Sequence, residues 1–474
     1  MYLASQTRML GEDEGQYFLM GKYFSEFKYP ASDNTGKPFS VSPLVPVFYA
    51  PFFITFGQSL SIAKIVTVIF GMLAVFLVYL TGKRINIWYG IISAFLLLSM
   101  SLFSHFMFIA YVEVPIAFFS ILATYMILNQ NTYKKSILTG TILSLSFFTK
   151  QTGLFLIAGF IIFEFIMYYK KRNIKIIKMI MLTLLVSLSL CSLFLIRNIM
   201  LYNYPYIHFL NLFFEAPEAV TAGAWEEVTG IMLSIPLLSY MDYASNIGTI
   251  VFVLGIFSLS WILIYKETTK ELLLSLILSA LFLILYYIYY FLELGIAEPR
   301  NIFTIFPHLS LLAGFFAFKL KEKHKYLIIT VLTILVLSFY TSITIATRTS
   351  SSQRYPDDYI QAMEWLKKNT NKDSIILTTY GGSLKYYAER NNVWLIKELP
   401  EVMSTSNATY IYEIMKKYNV SYILIWRGVL YEKFAIPESN LMGVFTYNFL
   451  DTIKDNEHFE TVYQNENNVI FEVI

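Results

Sequence analysis

About ten stretches of this chain are apolar over a length that can cross a bilayer, and no other feature restricts its fold so tightly. They are 62–82, 87–105, 113–129, 136–150, 153–169, 176–196, 246–265, 272–292, 301–319 and 326–346. A spanning helix needs roughly 17–25 mostly apolar residues. The fourth and fifth stretches are short and closely linked, so their division is open. Composition agrees: 56% of residues are hydrophobic and 15% charged, against about 25% charged in a soluble domain. A net charge of +3 does not point to nucleic acid. The single cysteine, Cys191, rules out an intramolecular disulfide or a thiolate cluster, and the five histidines form no HExxH pattern.

Residues 43–57, SPLVPVFYAPFFITF, are apolar but short and carry Pro43, Pro46 and Pro51. They suit an interfacial or re-entrant segment rather than a span. The turns between spans alternate in charge. One set holds Lys83 and Arg84, then Lys134 and Lys135, then Lys170 to Lys175, Lys266 and Lys270, and Lys319 to Lys325; the opposite short turns hold almost no basic residues. Basic turns stay in the cytoplasm. The acidic stretch GEDEGQY (11–17), the surroundings of Glu113, Lys150, the loop 197–245, Glu293 to Arg300 and the whole C-terminus are therefore expected outside the cell membrane.

Near Tyr355 the composition becomes that of a soluble domain. DDYIQAMEWLKKN (357–369) reads as an amphipathic helix with an acidic start and a basic end. Strands are expected at 374–380, 393–396 and 421–427, helices at 383–390 and 407–418, and a hairpin about Asn465–Asn468 at the end. This alternation predicts a small α/β domain. It has no nucleotide-binding glycine motif. The expected organisation is a first external region over 1–61, a helical bundle over 62–347 and a soluble extracytoplasmic domain over 353–474.

On this topology carboxylates and cations share one membrane side: Asp13 and Glu14, Lys37, Glu113, Lys150, Arg197 and Arg300. Charges at membrane depth are costly and default to a functional hypothesis. Glycosyl transfer from a lipid-linked sugar phosphate needs both kinds. A carboxylate takes the proton of the attacking hydroxyl, and Lys or Arg neutralises the departing phosphate. Each residue also has a plainer explanation. Asp13 and Glu14 can be solvated loop charges. Glu113 and Arg197 can pair or snorkel at the interface, and Lys150 and Arg300 can be outer anchors. Lys64 reads as a snorkelling end residue and Glu164 as paired at the basic interface.

The motifs DEGQY (13–17), KPFSVSPLVPVFYAPFFITFG (37–57), AKIVTVIFGMLAVFLVYLTGKRI (63–85), YVEVP (111–115), LSFFTKQTGLFL (145–156), RNIMLYNYP (197–205) and AEPRNIFTIFPHLSLLAG (297–314) occur in this order. The set resembles the GT-C glycosyltransferases, specifically the protein O-mannosyltransferase and aminoarabinose-transferase-like branch, over roughly residues 11–320. The resemblance implies a polytopic α-helical membrane protein and an inverting transferase that uses a polyprenyl- or dolichyl-phosphate sugar, with a protein, lipid or glycan as acceptor. It implies Asp13 as the base with Glu14 beside it, Glu113 as a second acidic site, and Lys37 as a phosphate contact. Lys150, Arg197 and Arg300, in family-like motifs, join Lys37 as donor-phosphate ligands. Some members of this superfamily use a divalent metal and others do not, so no obligatory cofactor is expected. Two departures stand out. The family has a transmembrane helix before its first acidic loop, whereas Met1 here lies only twelve residues before Asp13, so the native reading frame is expected to begin upstream, or this sequence to be a fragment. Phe39 follows Lys37-Pro38 where relatives often have proline. The competing functions are a carrier or flippase, which broken helices and inverted repeats would favour, and a scaffold whose external domain does the work.

Overall fold

The structure is a computed structural model that describes residues 12–28, 42–202, 249–289, 299–323, 356–378, 383–393, 405–427 and 445–474, with a few single positions between them. Its helices are α1 (Glu12–Ser25), α2 (Leu44–Phe56), α3 (Leu60–Lys83), α4 (Ile87–Ser99), α5 (Ser101–Phe106), α6 (Glu113–Leu128), α7 (Tyr133–Thr149), α8 (Leu154–Lys171), α9 (Ile174–Tyr202), α10 (Thr249–Tyr265), α11 (Lys270–Tyr289), α12 (Phe306–Lys323), α13 (Asp357–Asn369), α14 (Ala408–Lys417) and α15 (Tyr447–Lys454). The strands are β1 (Ile375–Leu377), β2 (Asn391–Val393), β3 (Val420–Trp426), β4 (Phe459–Gln464) and β5 (Asn468–Val473). These elements form two compact units. One carries α2 to α12; the other carries α1, α13 to α15 and the sheet.

The first unit is a multi-span helical bundle. Leu60–Lys83, Gln151–Lys171, Ile174–Met200 and Ile302–Glu322 are long and apolar enough to cross a bilayer; Leu44–Phe56, Ile87–Ser99, Glu113–Leu128 and Val253–Tyr265 are shorter apolar helices. The expected spans from 62–82 to 301–319 fall mainly on described helix; residues 246–248 and 290–292, and almost all of 326–346, lie outside the described residues. The span expected at 87–105 is interrupted. Met100 is extended (φ −69°, ψ 113°), and the Ser99 and Ser104 hydroxyls donate to the carbonyls of Leu96 and Leu98. Hydroxyls that take helix carbonyls compete with the backbone ladder. The division between the fourth and fifth stretches is real: Lys150 is extended between α7 and the 3-10 turn Gln151–Gly153. Residues 44–56 form one helix despite Pro51 inside it; at about 1.5 Å per residue its 13 residues are shorter than the hydrocarbon core.

Small and hydroxylic residues let the bundle close. Helices α7 and α9 run parallel: Thr183 donates to the Ser136 carbonyl at 3.2 Å, Ser144 to that of Ser187 at 3.0 Å, and the Phe147 and Phe194 rings meet at 5.5 Å. A Cβ on Gly140 would stand 2.6 Å from the Thr183 carbonyl oxygen. Such close backbones are the usual packing of membrane helices. At one end of the bundle Arg84 binds Glu271 at 2.9 Å, the Asn129 side chain at 2.5 Å and the Leu128 carbonyl at 3.3 Å. Lys135 donates to Asn129 O at 3.1 Å, and Lys319 pairs with Glu267 at 3.0 Å. Basic residues from three of the alternating turns thus share one end, with their carbonyl and carboxylate partners.

The second unit has the strand order β2-β1-β3-β5-β4. Strand β1 is parallel to β2 and β3, while β5 is antiparallel to β3 and β4. Side chains alternate across it. Ile423, Ile425, Val469 and Phe471 join Ile411 and Met415 of α14 and Phe449 and Ile453 of α15. Leu424, Trp426 and Ile470 join Tyr359, Met363 and Leu366 of α13. Period-two alternation with both faces covered is what a sheet between helices requires. Helix α15, capped by Thr446 on the Phe449 amide, was not foreseen. The expected strand near 393–396 begins earlier, at Asn391, and the expected helix at 383–390 is a π-helical turn, Leu384–Ala388.

Replacing Gly140 by alanine forces a Cβ against a backbone oxygen that cannot rotate away. A loss of about 1–3 kcal/mol is expected, read as a lower melting temperature in detergent. Gly255→Ala, with nothing within 4 Å of the new Cβ, is expected to hold or raise it, since alanine favours helix over glycine.

Candidate active site

Glu113 opens α6 and is 2% exposed. A carboxylate there lies at the positive end of the helix dipole. Lys150 meets it, Nζ to Oε1, at 3.1 Å. The other oxygen, Oε2, is buried without a hydrogen-bond partner among the described residues. The break after α7 positions the lysine. Its extended backbone leads into the turn that ends at Gly153, whose amide donates to the Lys150 carbonyl at 2.8 Å. A Cβ on Gly153 would stand 2.4–2.6 Å from the Ser146 and Phe147 backbone, so only glycine lets this turn fold back on α7. Pro115 lies in the first turn of α6, where its missing N–H costs nothing.

Arg197 lies near the end of α9. Its guanidinium donates to Asn198 Oδ1 and stands 5.9 Å from the Phe194 ring, within cation–π range. Because α7 and α9 are parallel and Phe147 and Phe148 both contact Phe194, Lys150 and Arg197 share one end of the bundle. Arg300 lies in the 3-10 turn Pro299–Ile305, and its side chain is outside the described residues. That turn packs at the same end. Phe303 stacks on Phe103 and tilts against Phe106, and just beyond it His308 Nε2 meets Ser120 Oγ on α6 at 2.8 Å. Glu113, Lys150, Arg197 and the backbone of Arg300 are therefore gathered, at the opposite end of α6 from the Arg84 network.

Lys64 is a correction. It does not snorkel; it is 2% exposed within α3. Phe70 of α3 contacts Phe119 of α6 at 6.0 Å, and Arg84 reaches the Leu128 carbonyl, so the two helices run parallel. Six residues back from each member of the Phe70–Phe119 contact stand Lys64 and Glu113, at one level. The only sequence signal was a lysine inside the apolar stripe that includes Ala63, Val66 and Thr67. The buried Ser120–His308 pair was also missed, because its partners are 188 residues apart.

Asp13 and Glu14 belong to the other unit. The acidic triplet forms the first turn of α1, whose dipole favours it. Glu14 is buried, and the side chain of Asp13 is outside the described residues. Further along α1, Phe18 meets Tyr386 edge-on at 4.6 Å between centroids, and Lys22 binds Glu389 at 3.2 Å. Glu389 also takes Lys367 at 2.8 Å. Burial pushes its carboxyl up, but the hydrogen bonds and charges of Lys367 and Lys22 outweigh that and leave it below the usual range. A carboxyl depressed in this way stabilises the fold above its unfolded value of about 4.3, and the contribution is lost as pH falls through the lower folded value. Lys37 is outside the described residues. Among the described residues no three His, Cys, Asp or Glu side chains gather as a metal site.

Removing the Lys150 ammonium leaves Glu113 buried and uncompensated. Lys150→Met is expected to cost about 3–5 kcal/mol, seen as a lower melting temperature. The double variant Lys150→Met with Glu113→Gln is expected to recover most of it.

Residues 38–196 match the family described as "Dolichyl-phosphate-mannose-protein mannosyltransferase". No curated protein matches the chain by sequence. Its fold is similar to that of ArnT from Cupriavidus metallidurans bound to undecaprenyl phosphate, with a TM-score of 0.65, 12% identity and coverage of 99% of this chain and 95% of that one. It is also similar to the Archaeoglobus fulgidus oligosaccharyltransferase in complex with Zn and sulfate, with a TM-score of 0.64, 14% identity and coverage of 88% of this chain. An archaeal oligosaccharyltransferase, AglB from Archaeoglobus fulgidus, in complex with an inhibitory peptide and a dolichol-phosphate gives a TM-score of 0.63, 14% identity and coverage of 88% of this chain and 66% of that one. The chain spans 64% of the length of the Zn-bound archaeal protein. Residues 38–196 thus match one family's model over a third of the chain, and the whole fold is similar to those of ArnT and the archaeal oligosaccharyltransferase.

Proposed function

We propose that the chain transfers a sugar, with inversion, from a polyprenyl-phosphate donor to a hydroxyl acceptor at the outer membrane face. The observation that carries this reading is the buried Glu113–Lys150 pair, with Arg197 and the Arg300 turn at the same bundle end, in a chain whose residues 38–196 match a family named for a dolichyl-phosphate sugar. The relatives bound to undecaprenyl phosphate and dolichol-phosphate support the donor class. In this reaction the acceptor oxygen bonds to the anomeric carbon as the bond from that carbon to phosphate oxygen breaks. Asp13, with Glu14 beside it, takes the acceptor proton. Lys37, Lys150, Arg197 and Arg300 hold the charge that gathers on the departing phosphate. Glu113 is the second acidic site, and its open Oε2 accepts a hydrogen bond from a hydroxyl of the sugar or acceptor. The alternation of basic turns supports the orientation: the Arg84 end of the bundle inside, the Glu113 end and the C-terminal unit outside.

The test is the full chain in proteoliposomes, given dolichyl-phosphate mannose and, as acceptor, membranes from cells lacking the protein. Asp13→Asn is expected to slow transfer about 10²- to 10⁴-fold, the worth of a general base, while donor binding holds. Undiminished transfer removes Asp13 from this role. Flux of the donor across sealed vesicles without transfer would favour a flippase instead. Single cysteines in a Cys191→Ser background test the orientation: one at Asn173 is expected to react only after cells are opened, one at His458 in intact cells.

A further inference from the structure

The acidic helix is fastened to the C-terminal sheet domain by a defined stripe. Glu14, Phe18 and Lys22 stand four residues apart and share one face of α1. Phe18 meets Tyr386, and Lys22 meets Glu389. Tyr386 and Glu389 both stand on an irregular piece of backbone. Tyr386 lies in the π-helical turn Leu384–Ala388, and Glu389, the residue after it, is left-handed at φ +53°. A π turn and a left-handed non-glycine residue are both uncommon, and such features cluster where function over-determines the backbone. Lys367 of α13 holds Glu389 from the other side at 2.8 Å. Arg390 then secures the chain, donating to the carbonyls of Lys367 and Thr370 at 2.7 Å each and to that of Ala388 at 3.0 Å. The docking platform is thus braced against the domain's own core. A 14-residue helix alone is marginal in water, so the place of α1 depends on this platform.

We propose that the C-terminal unit is a working part of the transferase: it holds the helix that carries Asp13 and Glu14, with Tyr386 and Glu389 as positioning residues. This rests on the assignment of Asp13 as base. A carboxylate that must meet a hydroxyl in line with a leaving phosphate loses rate steeply when misplaced by an ångström.

The experiment compares Tyr386→Ala, Glu389→Gln, Tyr386→Phe and Asp13→Asn in the full chain, in proteoliposomes with dolichyl-phosphate mannose and acceptor membranes. Amide hydrogen exchange over residues 12–25 reads the docking; exchange over 408–417 reads the rest of the domain. Tyr386→Ala and Glu389→Gln are expected to speed exchange in α1 and slow transfer at saturating donor, each about fivefold, the scale of one half-exposed contact. The KM for donor and exchange over 408–417 are expected to stay unchanged. Tyr386→Phe, which keeps the ring, is expected to behave as the native chain. Unchanged exchange in α1, or faster exchange with undiminished transfer, overturns the positioning role. Asp13→Asn keeps the two claims apart: if it transfers normally, the base assignment fails. If it is inactive while Tyr386→Ala and Glu389→Gln are normal, only the positioning role fails.

Discussion

A backbone in hydrocarbon has no water to bond, so each of its amides and carbonyls must be satisfied within the protein. Everything in the bundle follows from that constraint. Its long apolar runs are helical, and the polar side chains inside it turn back on carbonyls, as Ser144, Ser146 and Thr149 do on α7. Helices approach where a glycine or hydroxyl removes bulk, as Gly140 does against Thr183 and Gly314 against Ser93. Interruptions of the ladder occur where something else takes its place: a hydroxyl at Met100, a glycine turn at Lys150. The second interruption is the one that places a cation beside Glu113.

The two ends of α6 use charge differently. At the Leu128 end, Arg84 spends its donors on a carboxylate, an amide oxygen and a backbone carbonyl. That network is closed, and it is what a structural membrane-interface cluster looks like. At the Glu113 end a deeply buried carboxylate has one oxygen on Lys150 and one open among the described residues. Lys64 is level with it, and Arg197 and the Arg300 turn are near. A buried carboxylate with an open oxygen is costly unless a ligand completes it, and that is the ground for proposing the chemistry at this end.

The soluble unit follows the ordinary rules of a sheet between helices, and its departures are concentrated at one place. The π turn and the left-handed Glu389 meet α1, through Tyr386 on Phe18 and Glu389 on Lys22, and the densely bonded Arg390 follows them in the chain. Strain of this kind persists only where surrounding contacts determine it. The acidic stretch, which looked like an isolated charge cluster at the start of the chain, is built into the domain at the other end of it.

Much of this was legible in the residues, because the signals are local. Apolar runs dictate helices wherever lipid surrounds them, basic turns mark one end of a bundle, and alternation in SYILIWR and NVIFEV marks a buried sheet. Glu113 and Lys150 were legible as charges out of place, within YVEVP and LSFFTKQTGLFL. What only the tertiary structure decided are the pairings. Nothing near Lys64 in the chain says that it is buried rather than snorkelling, since that depends on α6 lying parallel at its level. Nothing in PHLS says that His308 meets Ser120, and nothing near Lys22 says that its partner is Glu389. Periodicity encodes which face of an element is apolar; which distant element covers that face is set by packing, where contacts between residues hundreds of positions apart decide among arrangements that local sequence leaves equal.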